Sequence, residues 1–98
     1  MEIYKTLNEN ELVITLSGRL DTTTAPDLEV ELKSSLDNIE SLIMDFTDLD
    51  YISSAGLRVL LFAQKNMNKQ GKMVIRHVND TILEVLQITG FIDILTVE

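Results

Sequence analysis

The hydrophobic period of this chain changes within a few residues at its centre, and that change constrains the fold more than anything else. Leu42-Ile-Met-Asp-Phe46 is an apolar run too short for a helix. Closed by the turn-like pair Thr47-Asp48, it reads as a strand buried on both faces. Leu57 to Lys69 keeps helical spacing, with Leu57, Leu60, Ala63 and Met67 on one face and Val59 beside it. Between the two lies Asp50-Tyr-Ile-Ser53-Ser54-Ala-Gly56-Leu57. A strand running straight into a helix start is the building unit of an α/β sheet. It also puts two hydroxyls beside unpaired backbone N–H groups at the positive end of a helix dipole, where a phosphate or other anion would be held.

The remaining segments extend this plan. Ile3 to Leu7 is a weak strand, Asn8-Glu-Asn10 a turn, and Leu12 to Leu16 a strong strand ended by Ser17-Gly18, so the first two strands pair antiparallel. Thr24-Ala-Pro26-Asp27 starts a helix, with a Thr cap, Pro in the first turn and an acid near the dipole. Ala25, Leu28, Leu32 and Leu36 form its inner face. After the central helix, closed by Gln70-Gly71, Lys72 to Val78 is a strand. Asn79 caps a third helix whose Ile82, Val85, Leu86 and Thr89 face inward, closing at Gly90. Residues 92–97 are either extended or partly helical. The order β-β-α-β-α-β-α, with a possible last strand, implies right-handed crossovers. The fold expected over residues 1–98 is a single α/β domain: a small mixed β-sheet with helices packed on one side. The central helix starts at the carboxyl end of a middle strand, where such folds place their sites.

Composition narrows the function. The net charge of −8 argues against nucleic acid, whose phosphates are neutralised by Lys and Arg. Most basic residues fall between Arg58 and Arg76 while the ends are acidic, which favours a partner with a basic surface over an anionic polymer. There is no cysteine, so zinc fingers and thiol chemistry are excluded. No apolar run approaches a membrane span, and the first residues lack the plan of a signal peptide. A cytoplasmic protein without metal or cofactor is expected.

Two stretches together resemble the STAS domain, and within it the anti-sigma factor antagonists of bacteria. They are Gly18-Arg-Leu-Asp21-Thr-Thr-Thr-Ala25-Pro-Asp-Leu28, and Leu42-Ile-Met-Asp45-Phe through Tyr51-Ile-Ser-Ser54-Ala-Gly56-Leu57. The resemblance implies partner switching. Such proteins bind an anti-sigma factor that is also a serine kinase; the kinase uses ATP to phosphorylate a serine at the head of the second helix, and a PP2C-type phosphatase restores the binding form. Alignment on Gly56-Leu57 puts the acceptor on Ser54, with Ser53 as the alternative. Ser53 stands where the family carries aspartate, and Ala55 takes the neighbouring hydroxyl position. The implied partner surface comprises Asp21, Thr22, Thr23, Ser53, Ser54, Ala55 and Gly56. Arg58, Leu61 and Phe62 extend this partner surface along the helix, Leu61 and Phe62 as an exposed apolar contact beside Arg58 and Lys65. A non-phosphorylated STAS scaffold in a transport or signalling complex is the alternative reading.

An enzyme is disfavoured by the residues themselves. Ile52-Ser53-Ser54-Ala55-Gly56 lacks the first glycine of a nucleophile elbow, and His77, the only histidine, alternates with strand residues.

Overall fold

A computed structural model describes residues 1–98. Four strands form one sheet in the order β1 (Glu2–Asn8), β2 (Glu11–Leu20), β3 (Ser41–Ile52), β4 (Lys72–Arg76). The β1–β2 pair is antiparallel, while β2–β3 and β3–β4 are parallel. The helices are α1 (Ala25–Ser35), α2 (Ser54–Gln70) and α3 (Asp80–Thr89). All three give buried residues to one core of 24 side chains, shared with Leu12, Ile14 and Leu16 of β2, Leu42, Met44 and Phe46 of β3, and Met73 and Ile75 of β4. The mixed sheet covered by helices on one side is as expected.

Both central strands run further than their alternation suggests. β2 continues through Ser17-Gly18 to Leu20 because Gly18 takes φ +92°, a conformation side-chain-bearing residues avoid. β3 continues through Thr47-Asp48 because it carries two bulges. Thr15 and Ser17 face Asp45 and Asp48, and Gly18 and Arg19 face Leu49 and Tyr51, so one extra β3 residue is accommodated at each step. Each bulge shifts the phase of the pleat. The inward residues therefore change from Leu42, Met44 and Phe46 to Leu49 and Ile52.

Three further expectations are corrected. The Thr24 hydroxyl caps nothing in α1; it donates to the Arg19 carbonyl and accepts from the Asp21 amide, each within 2.9 Å. Thr89 is exposed and bonds back to the Val85 carbonyl at 2.7 Å. β4 ends at Arg76, and His77 turns out of the strand at φ +62°. Its Nδ1 lies 3.0 Å from Asp45 Oδ1 and 3.0 Å from the Thr47 hydroxyl, which ties the end of β4 to the middle of β3. The last residues combine both readings. A 3₁₀ turn at Phe91–Asp93 precedes a parallel bridge of Val97 to Ile75.

Candidate functional site

The site forms where β2 and β3 end side by side. Leu20 pairs with Ile52, and the next amide, that of Ser53, donates to the Leu20 carbonyl at 2.9 Å. The chain leaves β2 into the Asp21–Thr24 turn and leaves β3 into α2, so the two segments are neighbours from different parts of the sequence.

Ser53 is the N-cap of α2, in extended conformation, and its hydroxyl accepts the Gly56 amide at a long 3.5 Å. That gives the Ser53 hydroxyl a structural role, one that serine and aspartate side chains can both fill. Ser54 is the first residue of the helix, exposed, with no side-chain hydrogen bond to the rest of the chain. The first-turn amides around it lack intrahelical partners, so the local field favours negative charge.

Gly56 is buried, which sets it apart from the surface residues of the expected partner face. A Cβ here would lie 2.7 Å from Leu20 Cγ and 2.9 Å from Ile52 Cγ1. Its role is to let the helix head sit directly on the two strand ends.

The Asp21–Thr24 turn is held by its own aspartate. Asp21 Oδ1 accepts the Thr23 amide at 3.0 Å, the Thr24 amide at 3.2 Å and the Thr24 hydroxyl at 3.2 Å. The Thr24 amide bond above all, helped by the Thr23 amide, the Thr24 hydroxyl and Arg19, holds its carboxyl below the usual range against the opposing effect of desolvation. Asp21 therefore shapes the loop, while Thr22 and Thr23 are exposed beside it. Arg19 lies 3.7 Å from Asp21 and stacks over the Tyr51 ring at 4.1 Å. Sequence reasoning missed this pair, because Arg19 meets Tyr51 only after both bulges have reset the register.

Thr22, Ala25, Pro26 and Glu29 face Ala55, Arg58 and Val59 across a shallow open cleft between the heads of α1 and α2. Arg58 is exposed. Leu61 and Phe62, expected as a free apolar contact, are only half-exposed. Phe62 packs against the core, and Lys33 of α1 stands 5.6 Å from its ring. The neighbouring helix α1 thus supplies part of its cover. Asp45 sits apart from the site. Burial alone would raise its pKa, but bonds from the Thr47 hydroxyl, His77 and the Thr47 amide outweigh this and leave it lowered. No cluster of metal-ligating side chains is present, and no helix is long and apolar enough to cross a membrane.

The strand ends and the helix head bearing the unengaged Ser54 form the candidate site, and comparison with known proteins gives the class of the chain. The STAS domain family model matches residues 2–98. BtrV of Bordetella bronchiseptica, named as a candidate anti-sigma factor antagonist, is 39% identical over 88 residues, covering 88% of this chain and 76% of its own. Among solved structures, an anti-sigma factor antagonist from Mycobacterium paratuberculosis superposes with a TM-score of 0.88 at 20% identity, over 98% of this chain and 83% of its own. The Bacillus cell fate determinant SpoIIAA, in its phosphorylated form, gives 0.77 at 17% identity, over 99% of this chain and 91% of its own. The chain belongs to the STAS domain family, among its anti-sigma factor antagonists. These relatives bear the names of regulators rather than of enzymes.

Proposed function

We propose that this chain, as a single STAS domain, is an anti-sigma factor antagonist controlled by phosphorylation of Ser54. It docks an anti-sigma factor on the surface made by the Asp21–Thr23 turn and the head of α2, and so frees a sigma factor for transcription. The bound anti-sigma factor acts as a serine kinase. The Ser54 oxygen attacks the γ-phosphorus of ATP held by that kinase, ADP leaves, and the hydroxyl proton passes to a base of the kinase. A PP2C-type phosphatase hydrolyses the ester and restores the binding form. All partners act in the cytoplasm.

The observation that carries this reading is the Ser54 hydroxyl itself: exposed, unengaged, and on the first residue of a 17-residue helix. Phosphorylation adds about −1.5 to −2 charge. The dipole of α2 favours that charge by ~0.3–1 kcal/mol, so the domain stays folded. The cost falls on the complex, where a dianion must be desolvated against a packed partner. A loss of only ~1.4 kcal/mol is already tenfold in affinity.

The test is to incubate the protein with ATP and the anti-sigma factor of its own host, then measure its mass. One added phosphate, mapped to Ser54 and absent from Ser54→Ala, supports the switch. Tight binding with no added phosphate supports the scaffold reading instead.

A further inference from the structure

The chain carries twice as many acids as bases, yet α2 contains no Asp or Glu at all. Its cations are also unlike those elsewhere. Lys5, Arg19, Lys33 and Arg76 are each paired, with Glu31, Asp21, Glu29 and Glu98. The other four, Arg58, Lys65, Lys69 and Lys72, have no carboxylate within ion-pair distance. Three of these four lie on α2, and all three are exposed.

Their placement on the helix is not scattered. At 100° per residue, Ser54, Arg58, Lys65 and Lys69 fall within an arc of about 60°. That arc is opposite the buried Leu60, Ala63 and Met67. Half-exposed Leu61 and Phe62 stand on either side of it. The result is a ridge of free positive charge with apolar shoulders, continuous with Ser54, on a molecule whose net charge is −8.

We propose that this ridge docks an acidic, amphipathic segment of the partner, whose carboxylates meet Arg58, Lys65 and Lys69 while apolar side chains seat against Leu61 on one flank and the half-exposed Phe62 on the other. Charge complementarity selects this occupant. A basic partner, favoured by the net charge of the whole chain, would be repelled here, and a second copy brings an equally positive ridge. The inference rests on the reading of Ser54 as the docking surface and deepens it. A phosphate on Ser54 faces the partner's carboxylates and draws Arg58, its neighbour one turn on, away from them. Modification would then remove an attraction as well as add a repulsion.

The experiment uses the isotope-labelled full chain and a short Glu/Leu/Ala peptide with helical apolar spacing as probe, followed by amide shifts. Expected are shifts confined to the α2 ridge and about tenfold weaker binding by Lys65→Glu/Lys69→Glu, with the neutral pair Lys65→Gln/Lys69→Gln in between. The difference between variants should vanish toward 1 M salt, where the screening length is about 3 Å. The Lys counterpart of the peptide should not bind. No shift with the acidic peptide, equal binding by both peptides, or a charge-reversed variant as tight as wild type overturns the proposal. So does wild-type binding to phosphatidylserine vesicles in preference to the peptide, which would make the ridge a membrane contact. Because the peptide needs no kinase, its failure leaves Ser54 phosphorylation open to the mass measurement. Conversely, an unphosphorylated Ser54 leaves the ridge result standing.

Discussion

Gly56 lies so close to Leu20 that a single added methyl would approach the leucine Cγ to 2.7 Å. This contact sets the height of the α2 head above the strand ends, and with it the position of Ser54. The helix start and the end of β2 are one packing unit, although 36 positions of sequence separate Leu20 from Gly56.

Gly56→Ala should therefore destabilise the domain despite alanine's better helix propensity. Overpacking typically costs ~1–3 kcal/mol against a propensity gain of at most ~1 kcal/mol. A net loss of about 1–2 kcal/mol, seen as a Tm lower by several degrees, is expected. Partner affinity should fall further than stability, since the helix head must move. An unchanged Tm would mean that Leu20 and Ile52 give way freely.

Ser54→Asp should separate folding from binding. A carboxylate at the first helical position suits the dipole, so thermal denaturation should match wild type within a degree or two. Affinity for the anti-sigma factor, measured by calorimetry, should drop about tenfold or more. Ser54→Ala should keep binding and accept no phosphate at this position.

The two side-chain caps differ in value. Ser53 accepts the Gly56 amide at 3.5 Å, whereas Asn79 accepts the Ile82 amide at 2.8 Å and also donates to the Leu49 carbonyl at 3.0 Å. Ser53→Ala should cost about 0.5 kcal/mol, the low end for a cap, and Asn79→Ala about 1–2 kcal/mol. Urea titrations of both variants test the order. A larger loss at Ser53 would show that its cap tightens in solution.

Acid should weaken the fold through Asp21 and Asp45. Both carboxyls have folded pKa values below the ordinary 3.8, Asp21 through its turn amides, and Asp45 because Thr47 and His77 outweigh burial. Groups depressed on folding stabilise the native state fully above the unfolded value and lose that contribution as pH falls through the folded one. The urea midpoint should therefore be flat well above pH 4 and decline below it. Asp21→Asn and Asp45→Asn should each flatten the decline, and a variant with the wild-type slope would exclude its carboxyl from the acid transition.

Much of this architecture is legible in the residues. Leu28 and Leu32 on α1 with Leu36 at its C-cap, and Leu57, Leu60, Ala63 and Met67 on α2, lie in the core as their 3.6-residue spacing predicts. What misleads is local chemistry overruled by register. Thr47-Asp48 reads as a strand end, yet the two bulges carry β3 onward to Ile52 by shifting which residues point inward. The same shift brings Arg19 onto Tyr51, a contact that no spacing rule contains. At the site, the position of Ser53 and Ser54 at a helix head is readable from their place between a strand and a helix. The burial of Gly56 and the shielding of Phe62 by Lys33 are not, because they depend on how the parallel strands and their helices meet in space.

The direct seating of the α2 head on two strand ends leaves nothing beneath Ser54 that could give way. On the reading proposed above, a phosphate there acts through the face it presents to a partner. Whatever it signals must be read at the surface by whichever protein arrives. The core thereby sets where the message is displayed, while residues outside it are free to change the audience.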